Sequence, residues 1–193
     1  MKKVLVFLLL LSIPIVSQAQ SVKLVGGINL ADFRSVSGSY PENPKSNTRF
    51  AAGLGFESGG EKVFWEVDVL YFQKGCRAET GEIRGNFNLD EISVPVLLKL
   101  KFAPETSPFL LAGGEAAYVI SYKNTEGNKT DLKEFTKSFD YGLVFGGGLQ
   151  LVMDTFGINI EARYHYGLAD LGKEGSDSHF KTSTLVFTAG LTF

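Results

Sequence analysis

Between residues 158 and 168 every second side chain is apolar: Ile158, Ile160, Ala162, Tyr164, Tyr166 and Leu168. The residues between them are Asn159, Glu161, Arg163, His165 and Gly167. A period of two is that of a β-strand, whose successive side chains point to opposite faces. The pattern recurs in 63–74, where Val63, Trp65, Val67, Val69 and Tyr71 oppose Phe64, Glu66, Asp68, Leu70 and Phe72. It recurs in 91–102, where Ile92, Val94, Val96, Leu98, Leu100 and Phe102 oppose Glu91, Ser93, Pro95, Leu97, Lys99 and Lys101. The last segment, 183–193, sets Leu185, Phe187, Ala189, Leu191 and Phe193 against Thr184, Val186, Thr188, Gly190 and Thr192. Unbroken apolar faces that oppose charged ones leave two folds: a soluble barrel with a dry pocket, or a barrel turned inside out in lipid.

Eight strands are expected, at 22–33, 49–57, 63–74, 87–102, 108–122, 139–152, 156–168 and 183–193. The connections alternate between long ones (34–48, 75–86, 123–138, 169–182) and short ones (58–62, 103–107, 153–155). That rhythm belongs to an all-β, eight-stranded antiparallel up-and-down transmembrane β-barrel, with short turns on the periplasmic side together with both termini. A ten-residue strand tilted about 45° rises roughly 23 Å, near the apolar band of about 25 Å in such barrels. The Trp65 ring and the strand-end tyrosines suit an aromatic girdle. Glycine, at 22 residues, exceeds its usual share of about 7%, as curved strands and a tightly filled interior require.

The start of the chain agrees with a membrane destination outside the cytoplasm. Met1-Lys2-Lys3, an apolar run from Val4 to Leu11 and then Ser17-Gln18-Ala19 read as a secretory signal peptide over 1–19, leaving a barrel domain of 20–193. The mature chain would carry 17 basic and 21 acidic side chains, which points away from nucleic acid. The single cysteine, Cys76, has no second cysteine with which to form a bridge and reads as a loop residue without assigned chemistry. One cysteine and two histidines make no compact metal set, and no cofactor motif is present.

An eight-stranded barrel is just wide enough for its side chains to fill it, so inward charges must neutralise one another. The expected lumen network contains Arg49, Glu66, Asp68, Glu91, Lys99, Glu115, Glu161, Arg163 and His165, with Lys23, Glu57, Lys101, Asp140, Asn29, Gln150 and Asn159 beside them. Folding the hairpin at 153–155 with Gln150 opposite Asn159 sets Gly148 against Glu161 and Gly146 against Arg163. The hairpin at 58–62 is expected to set Gly55 against Glu66 and Gly53 against Asp68. Pro95 removes a ladder donor, and a bulge or irregularity is expected there.

The stretches Gly27-Ile28-Asn29-Leu30, Leu70-Tyr71-Phe72-Gln73-Lys74-Gly75 and 92–99 with its internal Pro95 resemble the PorT-like outer-membrane β-barrel family, over 20–193. The resemblance implies an outer-membrane barrel, no catalytic motif to carry over, and a terminal Phe193 that helps the barrel-assembly machinery insert the chain. One member of that family takes part in protein secretion.

The resulting expectation is a non-enzymatic barrel with outer-membrane lipid and the assembly machinery as partners. Its role would be structural, surface-interacting or accessory to secretion, with a secretion-system or extracellular partner met through the long loops. Two alternatives stand beside it. A lipid A deacylase-like enzyme needs a histidine with a serine and a carboxylate, but His165 shares a face with Glu161 and Arg163 and points inward. A narrow channel would use Glu66, Asp68, Glu91 and Glu115 as lining, against the bulk of Phe64, Leu70, Phe72 and Leu97.

Overall fold

The computed structural model describes residues 19–38, 45–80, 83–103, 106–125, 130–173 and 178–193; the expected signal peptide over 1–19, apart from Ala19, and loop residues 39–44 lie outside that set. Eight long strands follow in order: β1 (Ala19–Gly38), β2 (Lys45–Gly59), β3 (Val63–Thr80), β4 (Ile83–Lys101), β5 (Ser107–Asn124), β6 (Phe139–Val152), β7 (Gly157–Gly167) and β8 (Ser178–Thr192). Each pairs antiparallel with the next, and β8 pairs back onto β1 through Lys23↔Thr192 to Gly38↔Ser178. Val22 and Phe193 complete the seam by exchanging backbone hydrogen bonds of 3.0 and 2.9 Å. A two-residue strand, Thr130–Asp131, and a 3₁₀ turn, Lys133–Phe135, decorate the β5–β6 connection.

The alternation sorts the side chains by chemistry. Leu24, Ile28, Leu54, Trp65, Val69, Leu110, Ile160 and Phe187 are exposed on the outer wall, while Lys23, Glu66, Asp68, Lys99 and Arg163 are buried within. So large a contiguous apolar surface is untenable in water, and lipid is the solvent that covers it. The soluble-barrel alternative would require the reverse arrangement.

The strands run further than expected at the long-loop end. β3 and β4 continue as a paired ribbon to Thr80↔Ile83, so most of the expected loop 75–86 is hairpin. Strand hydrogen bonding does not stop where the apolar face stops, because polar strands persist in water when they pair with each other. Cys76 is therefore not a loop residue but a fully buried strand residue, and His179 lies in β8 opposite Ser37.

One of the two expected hairpin registers holds, with Gln150↔Asn159, Gly148↔Glu161 and Gly146↔Arg163. The other is shifted by two residues: Gly55 faces Asp68, Gly53 faces Leu70, and Glu57 faces Glu66. β2 extends through Gly59, and the chain turns tightly with the Gly60 N–H donating to the Val63 carbonyl at 3.0 Å. At Pro95 there is no bulge. Its pairing with Glu115 is in register, while the ladder to β3 lapses across Asp68 and Val69, so the missing donor falls on that side.

The glycines of β2 make the close approaches possible. A Cβ on Gly55 would sit 2.2 Å from the Asp68 carboxylate and 3.0 Å from Lys23 Cε, and one on Gly53 would sit 2.0 Å from the Val69 carbonyl oxygen. Gly26 faces open space, with nothing within 4 Å of an added Cβ. Gly53→Ala is therefore expected to destabilise the barrel by about 1–3 kcal/mol and Gly26→Ala to leave it unchanged. Urea unfolding in lipid vesicles, read by the heat-modifiable gel mobility of the folded barrel, distinguishes the two.

Candidate functional site

Side chains fill the lumen in layers, which begin at the end where the termini and short turns lie. Lys23 of β1 and Arg163 of β7 stand at the centre of the first layer. Arg163 binds Asp68 at 2.5 Å and also pairs with Glu66 and Glu161, while its Nε donates to Glu161 at 2.7 Å. Lys23 pairs with Glu66, and reaches Glu161 at 3.2 Å and Asp68 at 3.8 Å. Lys99 joins Glu57 at 2.6 Å and Glu66 at 3.3 Å, and Lys101 lies 3.9 Å from Glu57. Four cations thus meet four carboxylates. Phe109 underlies the Lys99 ammonium at 4.1 Å and Phe64 that of Lys101 at 3.8 Å, so the rings support the cations on the apolar side.

Two apolar groups pack against these charges. Val25, Ala51, Leu70, Phe72 and Val186 pack together, and Leu97, Phe109, Leu111 and Val144 form a second group. Beyond them lies another polar cluster. Lys74 binds Glu91 at 2.5 Å, Glu115 accepts from Ser93 at 2.8 Å and lies 2.8 Å from His165 Nδ1, and Thr182 donates to Asp140 at 3.0 Å. The Phe72 ring meets the His165 ring edge-on at a centroid distance of 5.1 Å. Ser93 and His165 share one Glu115 oxygen, so the hydroxyl is hydrogen-bonded to the carboxylate and not to the imidazole, unlike the serine of a nucleophilic relay.

An aromatic plug closes the loop end: Phe33, Cys76, Leu89, Val119, Tyr122, Ala169, Leu171 and Phe180. The Phe180 ring meets those of Phe33 at 5.2 Å and Tyr122 at 5.4 Å between centroids, tilted against both. Above it, Asp170 lies 2.6 Å from His179 Nδ1 and accepts the Gly172 N–H at 3.0 Å. Burial pushes the Asp170 carboxyl upward, but these hydrogen bonds and the nearby charges outweigh it and hold the group below its ordinary range. A depressed carboxyl stabilises the folded loop above its unfolded value and stops doing so as pH falls through the folded one.

Of the expected network, Glu66, Asp68, Lys99, Glu161 and Arg163 share the first cluster, and Glu91, Glu115 and His165 share the second. Arg49 lies apart from both. The β2–β3 register shifts between Ser46 and Ala51, and the Arg49 guanidinium reaches Asn86 at 3.2 Å and also Asn88, passing over Gly75. Lys74 belongs to the second cluster and was not among the expected lumen groups. The alternation that places Phe72 inward places Lys74 inward too, so its signal lay in the sequence. Phe193 is exposed at the rim, beside Val22 of β1.

Two expectations follow. Replacing Arg163 by Leu would strand Glu66, Asp68 and Glu161 and lower stability by about 3–5 kcal/mol in vesicle unfolding, and lysine would not restore it because one ammonium lacks the forked geometry. The protection factor of the Gly172 amide should hold from neutral pH down to the ordinary aspartate value of 3.8 and fall below it. Asp170→Asn should abolish that dependence in exchange measurements by NMR.

Residues 17–172 match the outer membrane protein beta-barrel domain family. No curated protein matches the chain significantly. Among solved structures the chain is similar to Neisserial surface protein A, at 14% identity over 90% of this chain and 95% of that one, with a TM-score of 0.56. It is also similar to Ail, the attachment invasion locus protein of Yersinia pestis, at 18% identity over 91% of this chain and all of that one (100%), with a TM-score of 0.49. At these identities the likeness concerns the fold. The chain belongs to the outer membrane protein beta-barrel domain family, as a small eight-stranded barrel of the outer membrane.

Proposed function

We propose that this barrel is a sealed, non-enzymatic element of the outer membrane that acts through its loop end, as a structural or surface-interacting protein or an accessory to secretion. The observation that carries the reading is the filled lumen: an ion network with four charges of each sign, two apolar groups packed against it, a second polar cluster and an aromatic plug at the loop end. A lumen packed in this way conducts poorly, because each buried ion pair would have to be broken and resolvated for water to pass.

The proposal includes an exported precursor with a signal peptide over 1–19, termini and short turns on the periplasmic side, and Phe193 as the residue that the barrel-assembly machinery reads. It also includes membership of the PorT-like branch, which the Gly27–Leu30 and 70–75 stretches and the internal Pro95 support. Secretion-system or extracellular partners would meet the long loops, which stand clear of the apolar band.

Two measurements test the reading. Purified barrel in planar bilayers should leave the membrane electrically silent; stepwise openings in most insertions would overturn the sealed-lumen proposal. Incubated with lipid A, the barrel should release no fatty acid. Turnover that disappears in His165→Ala would establish the enzyme reading instead.

A further inference from the structure

We infer that the outer wall at the loop end carries a binding groove for the phosphorylated saccharide headgroup of an outer-leaflet glycolipid. The groove has a volume of about 170 Å³ and crosses four strands, taking Arg49 from β2, Gln73 from β3, Asn88 and Asp90 from β4, and Ser121 and Lys123 from β5.

Its construction depends on two breaks in the ladder. Between β4 and β5 the register moves from Asp90↔Ser121 to Glu91↔Val119, leaving Ile120 as an extra residue. Val119 and Tyr122 are buried, so inward alternation resumes one residue late, and Ser121 and Lys123 turn outward where an unbroken strand would have turned them into the lumen. Between β2 and β3 the pairing lapses from Ser46 to Ala51, where the Asn29 amide fills the gap by donating to the Phe50 and Gln73 carbonyls at 3.1 and 3.0 Å. Freed there, Arg49 extends over Gly75, whose missing Cβ would lie 3.2 Å from the Arg49 Nε. Bulges re-aim side chains in this way beside sites.

The height of the groove identifies the ligand. Gln73 continues the outward row of Tyr71, and Asn88 and Asp90 that of Ile92, and Tyr71 pairs with Phe50 at 5.7 Å just below. Gln73 donates to the Tyr71 hydroxyl at 3.4 Å, so the polar lining begins where the aromatic girdle ends. That is headgroup depth. Two cations suit a phosphate, and the amides, hydroxyl and carboxylate suit the hydroxyls of a sugar. An acyl-chain lipid also keeps its tails on the exposed apolar surface of Ile120, Tyr118 and Phe50 beneath the groove.

The inference rests on the proposed outward orientation of the loop end. Protease accessibility of the loops on intact cells tests that orientation alone. Nanodiscs with the glycolipid in both leaflets test the groove alone. Full mature barrel in phosphatidylcholine nanodiscs containing bis-phosphorylated lipid A should retain one lipid A per barrel on release into native mass spectrometry. Arg49→Gln and Lys123→Gln, each shown folded by gel mobility, should weaken retention about tenfold, the loss of one charge-assisted contact. Lys137→Gln, a loop lysine away from the groove, should not weaken it. If Arg49→Gln does not fold, the exposed Lys123 variant reads the same groove. Undiminished retention in Lys123→Gln, or equal retention of dephosphorylated lipid A, would overturn the inference. Binding of the deacylated, water-soluble disaccharide bisphosphate as tight as that of the lipid would overturn its membrane source.

Discussion

Lipid offers no hydrogen-bond partner to a peptide group, and that constraint drives the rest of this structure. A strand at the edge of a sheet would expose a row of unpaired amides and carbonyls to hydrocarbon, so the last strand must find the first. The seam between β1 and β8 does this over most of their length and finishes with the exchange between Val22 and Phe193. With eight strands, closure fixes a diameter that side chains fill. Every inward residue is then packed by neighbours it did not choose in sequence, and the inward face ceases to be a surface at all.

The lumen chemistry follows from that lack of room. Charges enter it because outward positions belong to apolar residues, and once inside they must be matched at contact distance. Lys23 of β1 and Arg163 of β7 do so on carboxylates of β2, β3 and β7, which ties these four strands across the interior and not merely along the wall. The carboxylates need space to turn toward these cations. Gly55 opposite Asp68 and Gly146 opposite Arg163 provide it, since a Cβ at either position would collide with its partner strand or partner side chain. The glycine content that first reads as strand curvature is also a condition of the ion network.

What the sequence made legible was whatever depends on alternation alone. Strand number, strand order and the identity of the inward carboxylates all follow from a period of two, and so did the 153–155 hairpin, whose three-residue connection leaves little choice of register. The 58–62 connection leaves its register open because its glycines permit strand and turn equally, and only three-dimensional packing decides that β2 runs through Gly59. Loop-end features were hidden for a related reason. Strand ribbons continue past the apolar band with no change in propensity to mark the crossing, so Cys76 and His179 looked like loop residues. Arg49 is expected in the lumen by alternation, which the break in the β2–β3 ladder overrides, and Lys123 falls in the expected connection 123–138 because β5 runs on past its apolar stretch to Asn124.

These breaks in the ladder bear on where function can reside. A lumen that is sealed by balanced charge and aromatic packing tolerates little variation, since any change must be absorbed by neighbours on several strands. The apolar band is equally constrained by lipid. Freedom is left at the loop end, where the ladder to β3 opens, β5 carries one residue too many, and polar side chains collect next to the Tyr71 and Phe50 rings. A regular barrel would have no reason to keep two adjacent breaks there, since each forfeits backbone hydrogen bonds that lipid and packing otherwise favour. Their coincidence around a polar groove is why the inferred glycolipid site lies on the outer wall and not in the interior.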